Sequence, residues 1–410
     1  MDSEETTPSG SQIAVELNWS EPVGSALALL EDGALIEDDD DFAEYEAYMS
    51  VQNLEELIAL RLESGPMAVA EYMRLIVAHP VLGYYATRDP FGKAGDFVTA
   101  PEVSQMFGEL LGLWCAHVWG LMGSPKKVQL VELGPGRGTL MADALRACGQ
   151  AAPSFLQAVN VHLIEVSPVL REKQKNAMSG HPVQWHDSLN TVPEGPMILL
   201  ANEFFDAMPV HQLVKTQNGW CERQVYRAKD GGLKFTVDQR PSPLVSFLHP
   251  QVAVSGLGSI AEISPKSCAV ARAIRKRLDQ FGGVALVIDY GHETSATGET
   301  LQAIRHHQPH DILTHPGSAD VTAHVDFGAV GRNISNRSVQ VSGPVTQGFF
   351  LQRLGIIERA ATLAKAQQPE RQREIARQVE RLTAVREMGE LFKVMVAASK
   401  NLPVLPGFVP

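Results

Sequence analysis

The stretch that decides the fold is residues 128–145, VQLVELGPGRGTLMADAL. Its first six residues are apolar except for Gln129 and Glu132, and this pattern predicts a buried β-strand. Three glycines at alternate positions follow, and the residues from Thr139 onward predict a helix. A strand, a glycine turn and a helix N-terminus together form a site where the backbone approaches a nucleotide closely.

The spacing of these glycines indicates the kind of ligand. Gly134, Gly136 and Gly138 form G-x-G-x-G, whereas dinucleotide-binding folds carry G-x-G-x-x-G. The acidic Glu132 lies two residues before the first glycine. A carboxylate there favours S-adenosylmethionine, whose sulfonium and amino group are cationic, over a pyrophosphate. Because a glycine turn alone is weakly specific, a nicotinamide-dependent oxidoreductase stays open as an alternative.

The negative charge of the chain is concentrated in residues 1–50. The 410-residue sequence has a formal net charge of −12, and this head holds 14 of its 47 acidic residues but no Lys or Arg. The other 360 residues carry 33 acidic and 35 basic residues, so they lack the basic excess of a nucleic-acid-binding protein. We expect the acidic head to be disordered or weakly ordered.

The composition also excludes several locations. Mitochondrial targeting peptides are rich in Arg and poor in acids, which is the reverse of this head. The sequence shows no secretory signal and no run of about 18 apolar residues that predicts a membrane span. These features predict a cytoplasmic protein. Reduced core thiols are predicted for the scattered cysteines Cys115, Cys148, Cys221 and Cys268.

Strand and helix patterns alternate along most of the chain, which predicts an α/β fold. Because the predicted strands are apolar throughout, we expect a mostly parallel sheet covered on both faces. The strands are predicted at 128–133, 161–165, 183–186, 196–201, 284–289, 338–341 and 392–396. Helices are predicted at 54–63, 67–77, 103–120, 347–367 and 371–385.

The same patterns predict the domain organisation. Residues 51–126 form a helical N-terminal extension, and residues 127–400 form the α/β domain. An antiparallel insertion is predicted at about 210–260, and residues 401–410 form a tail. A polar, His-rich loop is predicted from Gly291 to about Val325. The spacing of its histidines fits no standard metal site, so no metal is predicted.

Four of the predicted strands end in acidic or amide side chains, at Glu132, Glu165, Asn202–Glu203 and Asp289. Ligands of open α/β sheets bind at the carboxyl ends of the strands. Any one of these residues is equally well explained as a helix cap. Four of them at equivalent points predict a shared site.

Two of the strand-end acids are candidates for specific ligand groups. Glu165 follows the second strand, where an acid accepts hydrogen bonds from ribose hydroxyls. A cap on the helix that begins at Pro168 is the alternative. Asp187 follows the third strand and is a candidate acceptor for an adenine amino group, with a surface turn as the alternative.

Nine segments, in unbroken order over roughly residues 60–400, carry a family resemblance. They are HPVLGYY (79–85), GDFVTAPEVSQMFGELLGLW (95–114), VELGPGRGTL (131–140), IEVSP (164–168), NEFFDAMPV (202–210), LVIDYG (286–291), ADVTAHVDF (319–327), GPVTQGFFLQRLGI (343–356) and EMGELFKVM (387–395). The chain resembles the MidA-like S-adenosylmethionine-dependent methyltransferases. That family includes the mitochondrial complex I assembly factor that symmetrically dimethylates an arginine of a complex I subunit.

The resemblance implies a fold and a set of site residues. The fold is the class I methyltransferase (Rossmann-like) fold, a seven-stranded, mostly parallel sheet with a helical N-terminal extension and insertions. S-adenosyl-L-methionine would be bound by Glu132, Gly134, Gly136, Gly138 and Glu165. Thr99, Pro101 and Glu102 would lie over the cofactor. Asn202, Glu203 and Asp206 would lie where the methyl acceptor meets the methyl group.

The resemblance also implies the reaction, which is methyl transfer to a protein arginine, for example in a respiratory complex subunit. An arginine acceptor needs a carboxylate that pairs with the guanidinium and localises its charge away from the attacked nitrogen. Glu203 is the first candidate and Asp206 the second, because an i,i+3 spacing on a helical turn would place them on one side. For His324, a role as a base and simple packing both stay open. A homodimer and a non-catalytic assembly factor also stay open.

Overall fold

The structure, a computed structural model, describes residues 51–87 and 98–408. The predicted acidic head, the first residues of the segment 95–114 and the end of the predicted tail lie outside the described residues. The β-strands are β1 (Met67–Ala68), β2 (Val128–Leu133), β3 (Val159–Ile164), β4 (Val183–His186), β5 (Met197–Asn202), β6 (His211–Thr216), β7 (Gly219–Arg227), β8 (Leu233–Pro241), β9 (Ile260–Ile263), β10 (Gly283–His292), β11 (Gln302–Arg305), β12 (Gln308–His310), β13 (Asp320–Thr322), β14 (Val325–Asp326), β15 (Val339–Thr346) and β16 (Phe392–Ser399).

The helices alternate with these strands. They are α1 (Leu54–Arg61), α2 (Val69–Ala78), α3 (Tyr84–Thr87), α4 (Ala100–Val103), α5 (Gln105–Leu121), α6 (Thr139–Ala151), α7 (Pro153–Ala158), α8 (Pro168–Ala177), α9 (Pro250–Ala253), α10 (Pro265–Phe281), α11 (Phe327–Ile334), α12 (Gln347–Arg353), α13 (Ile356–Ala364), α14 (Pro369–Thr383) and α15 (Met388–Leu391). Short 3-10 turns lie at Leu62–Ser64, Leu189–Thr191 and Pro243–Phe247. Among the described residues, none of the helices combines the length and the apolar character that crossing a bilayer requires.

The central sheet confirms the predicted fold class. Its main path has the order β15-β16-β10-β5-β2-β3-β4. β16 pairs antiparallel with both β15 and β10, and the other pairings along this path are parallel. β14 adds a short parallel pairing at the end of β10. β2 and β4 have the predicted bounds, and the other predicted strands of the sheet are present with shifted ends.

Alternate residues of the central strands pack against different layers of the core. Leu130 and Leu286 belong to a cluster that includes Phe107 of α5. Val131 and Val287 belong to a second cluster, which includes residues of α10 and α11. This period of two explains why these strands are apolar throughout, because both faces of the sheet are buried.

The register of the sheet brings the predicted site residues to one edge. Leu133 is the last residue of β2. It lies opposite Ile164 of β3 on one side and opposite Ala201 of β5 on the other. Asn202 lies opposite Ile288 of β10. The acids and amides that follow these positions therefore leave the sheet at neighbouring points.

The insertion forms an antiparallel sheet of its own. β7 pairs with β6 and β8, and β9 pairs with β6. β1 joins this sheet, with Met67 opposite Val225. The sequence predicts a helix from Met67, but α2 begins at Val69. The difference arises because residues 67–68 hydrogen-bond to a strand that is distant in the sequence, which no local pattern reveals.

The prediction of a loop between Gly291 and Val325 is wrong. β11, β12 and β13 form a three-stranded antiparallel sheet within this segment. Its strands are only three or four residues long and mostly polar, so their periodicity is not recognisable in the sequence. Buried Ala303 and Val321, which lie opposite each other, supply its apolar side.

Several helix ends also differ from the predictions. The helix predicted from residue 103 begins at Gln105, where the side chain of Ser104 caps its N-terminus. The helix predicted at 347–367 is divided in two by Gly355, whose φ is +87°. All four cysteines are buried and none forms a disulfide, as predicted.

Candidate active site

A cleft opens at the carboxyl ends of β2 and β5, beside the glycine turn. The empty volume between its walls is about 380 Å³, and this figure includes space that is open to solvent. The residues that line it are Thr99, Pro101, Glu102, Glu132, Gly134, Pro135, Gly136, Arg137, Thr139, Leu140, Asn202 and Glu203. Three segments that are distant in the sequence therefore meet in one site. Of the predicted site residues, Gly138, Glu165, Asp187 and Asp206 do not line this cleft.

The glycine turn requires glycine for backbone reasons. Gly134, Gly136 and Gly138 have φ angles of +60°, +53° and +82°, in the left-handed region that other residues rarely adopt. A Cβ atom on Gly134 would lie 2.9 Å from Cδ2 of Phe204. The turn and the segment after β5 are therefore in close contact, and no side chain fits between them.

Glu132 presents a buried carboxyl group to the cleft. The residue is 3% exposed, and its Oε2 atom has no hydrogen-bond partner among the described residues. Burial raises the pKa of Glu132 to about 8. A buried acceptor without a donor is unfavourable, so this oxygen is suited to a ligand that brings a cationic N–H donor.

The segment Thr99–Glu102 closes one side of the cleft through two carboxylates. The Ala100 N–H donates to Oε1 of Glu203 at 3.0 Å. The Thr139 hydroxyl donates to Oε1 of Glu102 at 2.6 Å, and Arg137 lies 3.9 Å from the other oxygen of Glu102. This segment thus contacts both the glycine turn and the segment after β5.

Glu203 lies on the cleft wall in a strained backbone conformation. Its φ is +49°, which costs a non-glycine residue about 1 kcal/mol or more. Its Oε1 atom accepts from Ala100 N and from Asn202 Nδ2 at 3.0 and 3.1 Å, while Oε2 has no partner among the described residues. Burial raises the pKa of Glu203 to about 7, although the Ala100 N–H opposes the rise.

Asp206 lies behind the cleft wall. It is 7% exposed, its Oδ2 accepts from the Tyr290 hydroxyl at 2.7 Å, and its Oδ1 has no described partner. Burial raises its pKa to about 6, against the opposing effect of the Tyr290 hydrogen bond. The predicted helical turn is absent, because Glu203 is left-handed and residues 203–206 form a bend. The i,i+3 argument for Glu203 and Asp206 is therefore wrong.

Comparison with known proteins shows which family carries this site. Residues 110–345 match the family model of S-adenosyl-L-methionine-dependent methyltransferases. The chain belongs to this family. The protein arginine methyltransferase NDUFAF7 of Danio rerio, named as mitochondrial, is 36% identical over 364 residues, 83% of this chain and 85% of that protein. Homo sapiens NDUFAF7, also named as mitochondrial, is 37% identical over 357 residues, 80% of this chain and 79% of that protein.

A solved relative supports the same conclusion. A crystal structure of a Burkholderia thailandensis protein bound to S-adenosyl-homocysteine matches with a TM-score of 0.73 and 27% identity, covering 92% of this chain and 97% of that one. The predicted family, fold and cofactor are confirmed, and the chain is an S-adenosylmethionine-dependent methyltransferase. The oxidoreductase alternative is wrong. The cytoplasmic location and the homodimer stay predictions.

The cleft of this methyltransferase fits its cofactor on chemical grounds. The unpartnered Glu132 Oε2 and Asn202 Oδ1 are buried acceptors on the cleft lining, and S-adenosylmethionine carries a cationic amino group that can donate. Because the glycines of the turn have no side chains, their backbone atoms line the cleft directly. We therefore expect Glu132 and the glycine turn to hold the cofactor.

Glu165 and Asp187 make contacts that the sequence does not reveal. Glu165 accepts from Ser167 N at 2.8 Å and from Gln174 Nε2 at 3.1 Å. The side chain of Ser167, not of Glu165, caps α8. Asp187 pairs with Arg171 at 2.5 Å. Their roles in binding the ribose and the adenine stay predictions.

Gln174 makes buried contacts beside the glycine turn that the sequence does not reveal. This fully buried side chain of α8 donates to the Gly136 carbonyl at 2.7 Å and to Glu165 Oε2 at 3.1 Å. It also accepts from Trp185 Nε1 at 2.8 Å. It thus ties the glycine turn to the ends of β3 and β4. The sequence offers one signal of this role. Gln174 lies four positions after Leu170, so both side chains lie on the same face of α8, and that face is buried.

His324 packs beside the site without lining the cleft. Its ring contacts Tyr290 edge-on, with 5.6 Å between the ring centroids. Burial, together with the nearby His292, lowers its pKa. Of the two interpretations that the sequence leaves open, these contacts favour packing.

Proposed function

We propose that this methyltransferase methylates arginine side chains of a protein to symmetric dimethylarginine, with a respiratory complex subunit as the substrate. The observation that carries the proposal is the carboxyl of Glu203, which is held at Oε1 and free at Oε2 on the cleft wall. The relatives from Danio rerio and Homo sapiens are named protein arginine methyltransferases, which supports the same acceptor.

A guanidinium and a fixed carboxylate suit each other chemically. The guanidinium keeps its charge, because its pKa exceeds about 12. Glu203 Oε2 would accept from a guanidinium N–H, orient the planar group and draw positive charge toward the nitrogen that it contacts. When bound, S-adenosylmethionine supplies an electrophilic methyl group. Transfer of that methyl group to another guanidinium nitrogen would release one proton, which Glu203 Oε2, with a pKa of about 7, would take up from the N–H that it contacts.

The surroundings of Glu203 favour a cationic acceptor over a neutral one. Asp206 and Asp289 are buried and Glu203 is half-buried, and desolvation raises the pKa of all three carboxyl groups. Their hydrogen-bond partners are backbone N–H groups, the Asn202 amide and the Tyr290 phenol. A guanidinium at Glu203 would supply the cationic partner that these neutral donors do not, and it would favour the ionised form of the carboxyl.

The proposal is tested by comparing methylation in cells with and without this protein. Mass spectrometry should show symmetric dimethylarginine lost at a small number of protein sites when the protein is absent, and restored by the wild-type chain. Purified protein with methyl-tritiated S-adenosylmethionine should label the same sites. Label on another residue type or on a small molecule would contradict the arginine assignment. No turnover at all would favour the non-catalytic alternative.

The raised pKa of Glu132 predicts a pH-dependent cofactor affinity. Because the pKa is about 8 in the folded protein and near 4.5 for an ordinary Glu, the ligand-free protein loses stability as pH rises between these values. A ligand with a cationic amino group selects the carboxylate, so S-adenosylhomocysteine affinity should rise by up to about tenfold per pH unit below pH 8. Calorimetry from pH 6 to 8.5 in two buffers of different ionisation enthalpy should also detect proton release on binding.

The matched control for this prediction is Glu132→Gln. The Gln side chain keeps the size of Glu but has no carboxyl proton to lose. Its affinity should be lower and nearly independent of pH. If the wild-type protein binds with flat affinity and releases no proton, Glu132 does not pair with the amino group.

A further inference from the structure

We propose that Asp289 and Tyr290, adjacent residues of β10, are positioning residues that fix Glu203 and Asp206 for the acceptor. The inference rests on the proposed function and deepens it. Neither residue lines the cleft, so neither is expected to touch the substrate. Asp289 acts on the backbone of the segment after β5, and Tyr290 acts on the side chain of Asp206.

Asp289 gathers the backbone N–H groups that follow Glu203. Its side chain is fully buried. One oxygen, Oδ2, accepts from the backbone N–H groups of Phe204, Phe205 and Asp206 at 3.1, 2.9 and 3.2 Å. The other oxygen, Oδ1, accepts from the N–H of Tyr290 at 2.9 Å. All four contacts have the carboxyl as acceptor.

This arrangement explains how Glu203 is kept in a left-handed conformation. The Glu203 N–H still donates to the Ile288 carbonyl at 2.9 Å, as the last bond between β5 and β10. From the next residue onward, the N–H groups turn toward Asp289. The chain therefore bends away from the strand at Glu203, where φ is +49°. We infer that loss of the Asp289 carboxyl allows this residue to relax and its side chain to leave the cleft wall.

An amide cannot replace the Asp289 carboxyl. In Asn, one of the two positions carries an NH₂ group, which is a donor. In one orientation of the amide, the NH₂ group would face the Tyr290 N–H. In the other orientation, it would face the three backbone N–H groups that now donate to Oδ2. Both orientations place a donor against a donor. The hydrogen bonds thus require a carboxylate, which has acceptors only. Burial and the nearby charges of Asp206 and Glu203 raise the pKa of Asp289 well above the ordinary value, and the N–H groups of Tyr290 and Asp206 oppose this rise.

Tyr290 fixes the side chain of Asp206. Its hydroxyl donates to Oδ2 of Asp206 at 2.7 Å, which leaves Oδ1 without a described partner. Its ring is held between Phe392 and His324, in edge contacts with centroids 5.3 and 5.6 Å away. Tyr290 therefore sets which oxygen of Asp206 is bonded and stabilises the ionised form of that carboxyl.

The test uses the full chain with Tyr290→Phe, Asp289→Asn and the control Tyr72→Phe. Tyr72 is also fully buried, and its phenol donates to the Ile312 carbonyl at 2.8 Å. The control also removes the hydrogen bond of a buried phenol, but at a position that does not line the cleft. The readouts are calorimetry with S-adenosylhomocysteine, hydrogen–deuterium exchange, and the initial rate with methyl-tritiated S-adenosylmethionine and lysate from cells that lack this protein.

We expect the variants at 289 and 290 to keep S-adenosylhomocysteine affinity within about twofold of wild type. The rate should fall about tenfold in Tyr290→Phe and about 100-fold in Asp289→Asn. Exchange of the peptide that contains residues 203–206 should be faster in Asp289→Asn. The acidic limb of the rate–pH profile should shift in Tyr290→Phe but not in Tyr72→Phe, because only the former loses a donor to Asp206, whose charge acts on the pKa of Glu203.

Two results would overturn the positioning role. One is unchanged exchange at residues 203–206 in a folded Asp289→Asn protein, and the other is a Tyr290→Phe protein with the rate and pH profile of the control. If Asp289→Asn does not fold, Tyr290→Phe decides. If the labelled residue is not arginine, the proposed function fails, but the exchange and pH measurements still decide the role of Asp289 and Tyr290, because neither depends on the acceptor.

Discussion

Glu203→Gln is expected to lower kcat/KM for the protein acceptor by about 10²–10³-fold. The Gln amide keeps the size of the side chain, and its oxygen can still accept from Ala100 N. Its NH₂ group then occupies the position of Oε2 and faces the N–H groups of a guanidinium, so attraction becomes repulsion. Affinity for S-adenosylhomocysteine should change little, because Glu132 and the glycine turn are unaltered.

The pH dependence gives this prediction a second readout. With a pKa of about 7, Glu203 is mostly neutral below that pH and ionised above it. The kcat/KM of the wild-type enzyme should therefore rise with pH through about 7, and the variant should lack this rise. Methyl transfer to the identified acceptor, measured from pH 6 to 9, checks both expectations.

Glu172→Gln is a suitable control for Glu203→Gln. The Glu172 side chain is 69% exposed and pairs with Lys175 on the same helix. The variant therefore loses one carboxylate at the surface. Its activity should equal that of wild type. If Glu203→Gln retains more than about a tenth of wild-type kcat/KM, a loss of only about 1.4 kcal/mol, Glu203 is not the residue that pairs with the acceptor.

Gly134→Val is expected to weaken S-adenosylhomocysteine binding by about 100-fold or more, a loss of about 3 kcal/mol or more. Two effects combine. A β-branched residue is strained at φ +60°, and its Cβ atom would lie 2.9 Å from the Phe204 ring. Relief of this clash moves either the glycine turn or the segment that carries Glu203. Calorimetry with S-adenosylhomocysteine measures the loss, and Gly134→Ala should show a smaller loss in the same direction.

Gly231→Val provides the matched control. Gly231 has a φ of +86°, and a Cβ atom there meets nothing within 4 Å. This variant carries backbone strain of the same kind without the contact with Phe204. We expect wild-type affinity for S-adenosylhomocysteine and a modest loss of thermal stability. Equal losses of affinity in the two variants would mean that strain alone, not the position beside the cleft, is responsible.

The location of the cleft could be predicted from the sequence because it depends on local patterns. Apolar runs that end in Glu132 and Asn202 mark parallel strands, and parallel strands place their carboxyl ends at one edge of a sheet. The glycines at 134–138 mark a turn that needs left-handed backbone, which the structure contains. These features need no knowledge of which strand pairs with which.

The relation between Glu203 and Asp206 could not be predicted in the same way. An i,i+3 spacing places two side chains together only in a helix, and residues 203–206 do not form one. Their conformation depends on Asp289, which is 84 residues from Phe205 in the sequence. The three short strands β11, β12 and β13 were missed for a related reason, since pairing rather than periodicity defines them.

By itself, the sequence determined the family, the α/β fold, the cofactor and the edge of the sheet where the cofactor site lies. The fold and the edge of the sheet depend on apolar periodicity and on glycines that the backbone requires, whereas the family and the cofactor depend on the resemblance carried by nine segments of the chain. Only the tertiary structure decided that Glu203 faces the cleft while Asp206 is held behind it, and that Gln174 and Asp289 organise the two sides. The physical reason is that buried polar side chains must satisfy their hydrogen bonds, and their partners come from elements that only folding brings together.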